Sequence, residues 1–203
     1  GVTIVDEWAP EFPEQRRDYS YGRVASGKWA YNRLPTPGRH NAASQISGLV
    51  PRPYFTASRG FYDRPFSLHL GSVIESATIR YTTDGSIPSA SHGLVYDTPL
   101  PLDATTVVRA FATKPGYLPS SVATHPYIFA PSPAMQSLPA ISLATDPANL
   151  LGQRGILDTT THPKNTTKRG IAWERGASAE LFNDLEDGGF QIDCGLRLSG
   201  GNY

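Results

Sequence analysis

The chain has 203 residues with 18 basic and 18 acidic side chains, so no overall field concentrates phosphate or anionic lipid, and nucleic acid is excluded as a partner. Glycine (19) and proline (18) are abundant while charged residues make up 18%, a balance that favours many turns and short strands and points to a mainly β fold. No apolar run approaches the ~20 residues needed to cross a bilayer, and no signal peptide is evident.

Residues 1–43 mix short aromatic runs with turn residues and close on Pro35-Thr36-Pro37-Gly38, where two prolines deny the backbone its ladder donors and mark a domain edge. Tyr19-Ser20-Tyr21-Gly22-Arg23 and Lys28-Trp29-Ala30-Tyr31 read as two strands joined by a turn at Ala25-Ser26-Gly27. Gln15, Ser20, Gly22, Arg23, Thr36, Pro37, Gly38 and Asn41 follow the order Gln, Ser-x-Gly-Arg, Thr-Pro-Gly-x-x-Asn. That order resembles the C-terminal end of lamin-tail-type domains, and implies the last strands of such a β domain over 1–43.

The middle of the chain, 51–129, carries the clearest strand periodicity. Phe66, Leu68 and Leu70 alternate with Ser67 and His69, the two-residue period of a strand with one buried face. Ile79-Arg80-Tyr81-Thr82-Thr83 predicts a second strand, and Asp84-Gly85 supplies the positive φ of a tight turn, so the chain is expected to reverse there. Pro88 then bars an unbroken central strand. Residues 105–113 place Val108, Ala110 and Ala112 on one face, Lys114-Pro115-Gly116-Tyr117 is a turn, and residues 122–129 return as the last strand. Several strands at this spacing predict an immunoglobulin-like sandwich. Tyr81-Thr82-Thr83-Asp84-Gly85-Ser86-x-Pro88, Tyr96, Pro99-Leu100, Val108-Arg109-Ala110, Gly116-Tyr117 and Pro119-Ser120 together resemble the module at the C-terminus of chitobiases and hexosaminidases. This implies a β-sandwich and a secreted protein more than a substrate.

Past the linker Ala130-Pro131-Ser132-Pro133-Ala134, Leu138-Pro139-Ala140-Ile141-Ser142-Leu143 predicts an apolar strand. A brief helix follows, with Asp146 as N-cap, Pro147 in the first position and Gly152 after its end. Trp173-Glu174-Arg175, residues 177–182 and residues 190–198 read as strands. The series Leu-Pro-x-Ile-Ser-Leu, Asp146-Pro147, Arg154-Gly155-Ile156, Trp173-Glu174-Arg175, Phe190 and Gly195-Leu196-Arg197-Leu198-x-Gly200 is similar to the opening of spore-coat-type atypical kinases, the CotH family. It implies that 138–203 is the N-terminal part of such a domain. The lysine strand and acidic metal ligands of phosphoryl transfer would lie beyond Tyr203, so no catalytic residue carries over.

Candidate sites are few. Gly200-Gly201 reads as a turn rather than a phosphate loop. Glu174, Glu180, Asp184, Glu186, Asp187 and Asp193 are expected to face solvent rather than pair as glycosidase acid and base. The five histidines have no metal-ligand spacing and are expected in exposed loops and on strand faces. Asp84 is expected to bond its own turn rather than a calcium ion. Cys194, the single cysteine, is expected as a buried inert thiol. Asn165-Thr166-Thr167 is a formal glycosylation sequon. Trp29, Tyr31, Tyr54, Phe61 and Tyr62 are the candidate sugar contacts, because carbohydrate modules hold sugar rings on aromatic faces.

The chain therefore reads as a fragment of a bacterial secreted or envelope protein: mainly β, with an immunoglobulin-like sandwich in the middle and partial β units on either side. It is expected to be a non-catalytic accessory or spacer in a CotH-kinase-like protein. The alternative is a carbohydrate-binding module of a polysaccharide-active enzyme. Polysaccharide or envelope components are the expected partners, with no cofactor and no metal.

Overall fold

The computed structural model describes residues 11–41, 46–182 and 189–199. Gly200-Gly201, Asp184, Glu186 and Asp187 lie outside these residues. Strands make up 40% of what is described and helices 8%, as the turn-rich composition requires. In chain order the strands are β1 (Ser20–Arg23), β2 (Trp29–Asn32), β3 (Gly48–Leu49), β4 (Tyr54–Phe55), β5 (Gly60–Tyr62), β6 (Phe66–Leu68), β7 (Leu70–Gly71) and β8 (Thr78–Thr82). They continue with β9 (Leu94–Val95), β10 (Leu100–Leu102), β11 (Thr106–Thr113), β12 (Tyr117–Leu118), β13 (Ala123–Phe129), β14 (Ala140–Thr145), β15 (Arg175–Phe182) and β16 (Phe190–Leu196). Two short helices, α1 (Pro133–Ser137) and α2 (Pro147–Leu150), flank β14. No helix among the described residues is long and apolar enough to cross a membrane.

The chain divides into two compact units, residues 1–49 with 114–118, and residues 50–113 with 119–203. In the first, β1 and β2 form an antiparallel hairpin in which Tyr21 faces Tyr31 and Arg23 faces Trp29. Its turn closes through Val24 N–H to Lys28 O and Gly27 N–H to Val24 O, both 2.8 Å. Tyr21 stacks on Trp29 and meets Tyr31 edge-on, the cross-strand aromatic packing that holds an isolated hairpin. Asn41 donates to the Arg23 carbonyl at 2.8 Å and accepts from Thr36 Oγ1 at 2.6 Å, so three polar positions of the N-terminal motif fasten one another. β3 and β12 pair in parallel in the same unit.

The second unit is built on a five-stranded sheet of order β5-β13-β11-β8-β9. β11 is its central strand, antiparallel to both β13 and β8. Val108, Ala110 and Ala112 on one face of β11 are fully buried; their small size permits close approach of the second layer. That layer is supplied by the short ladders β4–β7 and β6–β10, which contribute Leu68, Leu70, Leu100 and Leu102, all buried. The alternation read at Phe66 to Leu70 is therefore real, with Ser67 and His69 exposed between them.

The expected tight reversal at Asp84-Gly85 is corrected. β8 pairs with β9, Arg80 opposite Val95 and Tyr81 opposite Leu94, so the return comes at Gly93. Gly93 has φ +97°, and a Cβ there would stand 2.7 Å from the Tyr81 carbonyl oxygen, a site only glycine fits. Asp84 instead accepts from Ser86 N and Oγ at 3.0 and 2.6 Å. This local Asx turn and a bridge from Asp84 to Val107 carry the chain onward past buried Pro88.

The same unit contains a three-stranded antiparallel sheet, β14-β15-β16. The register puts Ser142, Glu180 and Gln191 in one row and Ala144, Ser178 and Asp193 in the next, on one face. The other face carries Ile141, Leu143, Phe190 and Ile192, each about half exposed or more. α2 begins at Asp146, whose carboxylate accepts from Ala148 N at 2.9 Å, with Pro147 in its first turn, as the capping pattern predicts. Trp173-Glu174, expected in a strand, instead ends a 3-10 turn over Ile171–Trp173. The indole ring there carries Lys168 Nζ at 4.3 Å and Arg175 Cζ at 4.9 Å.

Candidate functional site

The polar face of the three-stranded sheet is where charge converges in the second unit. Glu180 lies on β15, the middle strand, and is 3% exposed; the expectation that it faces solvent is corrected, because a central strand is covered at its edges and this face meets the sandwich. Its carboxylate pairs with Arg59, from the loop before β5. Burial pushes the Glu180 carboxyl up to about 7, against the pull of Arg59, and Oε2 has no hydrogen-bond partner. One row away Asp193 accepts from Arg52 at 2.8 Å, a pair left about half in solvent. Phe61 of β5 meets Phe182 of β15 with ring centroids 5.4 Å apart.

A further contact passes through the loop after β8. Arg109, on the face of β11 opposite Val108 and Ala110, is 6% exposed and donates to the Gly85 carbonyl at 2.9 Å. Burial lowers its pKa. Gly85 has φ +83°, and a Cβ there would stand 3.1 Å from the Thr145 carbonyl oxygen at the end of β14. The Asp-Gly pair thus serves as a close-packed seat for the following sheet. Ser86 hydrogen bonds hold the Asp84 carboxylate below its usual range.

Beside Arg109 is an open cleft of about 610 Å³ that reaches Asp193, Cys194 and Glu174. Each carboxylate there has a cationic partner, Asp193 with Arg52 and Glu174 with Arg197 at 3.3 Å. Cys194 is half-buried rather than enclosed, since it lies on edge strand β16. The arrangement supports structural charge pairing. Among the described residues no group of histidine, cysteine and carboxylate side chains is placed to hold a metal ion.

The sandwich side of this junction contains two perturbed groups. His125 stacks on Phe55 with centroids 3.9 Å apart, and burial, then the charge of Arg59, lowers its pKa to about 4. The expectation of exposed histidines fails for this one: its strand face is the inner one, shared with Tyr127. Tyr127 is fully buried, donates to the Ala57 carbonyl at 3.1 Å and titrates far above the usual tyrosine range.

The structure distributes the five candidate sugar contacts. In the first unit Trp29 is 37% exposed and Tyr31 only 7%, its hydroxyl donating to Glu14 O at 2.7 Å. In the second, Tyr54 is 53% exposed. Phe61 is half-buried against Phe182. Tyr62 is half-buried and packs with Phe66, Tyr127 and Phe129.

Sequence reading passed over Arg52, Arg59 and Glu180 as a set. The available signal was the parity of Ser178, Glu180 and Phe182 in β15, which puts Glu180 on the face of a buried serine and a packed phenylalanine. Asn165 of the formal sequon is 1% exposed and donates to the carbonyls of Gln153 and Gly155 at 2.8 and 2.9 Å; its amide belongs to the interior.

Residues 57–124 match the model of the chitobiase/beta-hexosaminidase C-terminal domain family, about a third of the chain. No curated protein and no solved structure matches the chain.

Proposed function

We propose that this chain is a set of non-catalytic accessory modules from a larger secreted or envelope protein of the CotH-kinase-like kind. In this reading residues 1–43 end a lamin-tail-like domain, residues 51–129 form the chitobiase-type sandwich, and residues 138–203 open the kinase-like domain. The observation that carries it is the use of the sandwich's own cations. Arg59 and Arg52 grip Glu180 and Asp193 of the following sheet, and Arg109 holds the Gly85 seat against β14. A module whose charges are engaged this way serves as a mount for the domain it precedes.

Exposed Tyr54 and Trp29 favour the second reading, a carbohydrate-binding module. Calorimetric titration with chitin oligosaccharides to millimolar concentration separates the two. The mount reading expects no heat of binding; saturable binding abolished by Tyr54→Ala or Trp29→Ala would replace it with the second. The kinase-like context is tested by reading the coding region past Tyr203, where a lysine-bearing strand and later an acidic metal-binding motif are expected.

A further inference from the structure

Arg109 is a buried cation whose hydrogen-bonding capacity is mostly unused. The side chain is 6% exposed; Nη1 donates to the Gly85 carbonyl at 2.9 Å, and Nε has no partner, although a guanidinium carries five N–H groups. Among the described residues no carboxylate stands within ion-pair distance of it. Asp146 and Asp193 act on its charge from farther off, and both are committed elsewhere. Asp193 pairs with Arg52 at 2.8 Å, and Asp146 caps α2 through Ala148 N at 2.9 Å. Buried donors without acceptors are costly, so an anion that completes this group gains more than it would at an exposed arginine.

The same side chain lines the open cleft of about 610 Å³, a volume within the range of small-molecule sites. The cleft owes its room to glycine. Gly176 of β15 pairs with Gly195 of β16, one row from Ser178 and Asp193, and so shares their face, the one turned to the sandwich. A Cβ on Gly176 would meet nothing within 4 Å. Ile87 and Val122 from the sandwich and Ile171 from the sheet side give the cleft apolar walls. Its two carboxylates, Asp193 and Glu174, each have an arginine of their own, which leaves Arg109 as the lining cation without a counter-charge.

We propose that this cleft binds a small monocarboxylic acid with an apolar body, its carboxylate on the Nε–Nη2 edge of Arg109 and its body between Gly176 and the apolar walls. That edge is the one Gly85 leaves free, and a planar guanidinium edge takes a carboxylate side-on through two parallel N–H···O bonds. One negative charge is the fitting number, because a second would lie against Asp193 and Glu174. The inference goes beyond the mount reading and does not depend on it.

The test is fluorine NMR of p-fluorobenzoate titrated with the chain, with p-fluorobenzyl alcohol as the uncharged reference. Saturable broadening with a Kd of about 1 mM or tighter is expected for a ligand of this size, and none for the alcohol. Arg109→Met should weaken binding about tenfold or more, the loss of a charge-assisted hydrogen bond, whereas Arg64→Met, an exposed arginine outside the cleft, should leave it unchanged. Gly176→Leu, at a position that needs no positive φ, fills the cleft while keeping Arg109 and should also weaken binding about tenfold or more. Near-UV circular dichroism matching the wild type shows that Arg109→Met is folded; if it does not match, Gly176→Leu decides. No binding of p-fluorobenzoate, equal binding of the alcohol, equal loss with Arg64→Met, or undiminished binding by Gly176→Leu or by folded Arg109→Met would each overturn the proposal. None of these outcomes bears on the chitin titration or on the coding region past Tyr203, so the mount reading stands or falls separately.

Discussion

Glu180 and His125 titrate in opposite senses on the two sides of one junction. Glu180 has a folded pKa of about 7, above the ordinary carboxylate value, so the folded state binds the extra proton and stability falls as pH rises from about 4.5 to about 7. His125 has a folded pKa of about 4, below the ordinary imidazole value, so stability is lost as pH falls from about 6.5 toward 4. Between pH 4.5 and 6.5 the two slopes oppose each other. Glu180→Gln keeps the shape and removes one titration; urea midpoints of that variant are expected to rise with pH from 4 to 6.5 and stay flat to 8. His125→Phe, which preserves the stack on Phe55, should show the reverse, with midpoints falling from pH 4.5 to 7. Parallel profiles in the two variants would show that neither group titrates as placed.

At the scale of elements, the loop after β8 illustrates what could be read in advance and what could not. Gly85→Ala and Gly93→Ala both force a side chain into positive φ, which costs about 1 kcal/mol, but their surroundings differ. A Cβ at Gly93 meets the rigid Tyr81 carbonyl within its own β8–β9 ladder, while one at Gly85 meets Thr145 of the following sheet at a looser distance. Chemical unfolding should therefore find Gly93→Ala the more destabilising, by about 1 kcal/mol or more over Gly85→Ala. The strands over 78–82, 106–113 and 123–129 and the cap at Asp146 were legible because period, β-branching and capping are local. The Asx turn at Asp84 was legible too. The place of chain reversal was not, because the β8–β9 register depends on Gly93 and on the Arg80 guanidinium donating to Gly93 O at 2.8 Å, a pairing across 13 residues. Glu180 was misread for a similar reason: alternation says which residues share a face, but not which face another layer will cover.

For the molecule as a whole, the question is how firmly the sandwich and the three-stranded sheet act as one body. Among the described residues two ion pairs join them, and they differ in kind. Arg52–Asp193 is about half exposed on both sides, so Arg52→Ala should change stability by no more than about 1 kcal/mol. Arg59–Glu180 is different, because removing the cation leaves a carboxylate that is 3% exposed without compensation. Arg59→Met is expected to cost about 1 kcal/mol more at pH 8 than at pH 5, because the Glu180 carboxyl titrates at about 7 beside Arg59 and without the cation can keep its proton at pH 8 for little more than that. Adding Glu180→Leu to Arg59→Met removes the buried charge altogether and should restore most of that loss at pH 8. If the pair is what makes the sheet cooperative with its mount, the wild type unfolds in one transition at both pH values, and Arg59→Met at pH 8 splits into two while the double variant returns to one. Urea unfolding of chains carrying Trp8→Phe and Trp29→Phe, so that fluorescence comes from Trp173 on the sheet side, compared with far-UV circular dichroism, which reports the whole chain, separates these cases. Coincident curves for Arg59→Met at pH 8 would mean that packing such as Phe61 against Phe182 couples the two layers without the ion pair.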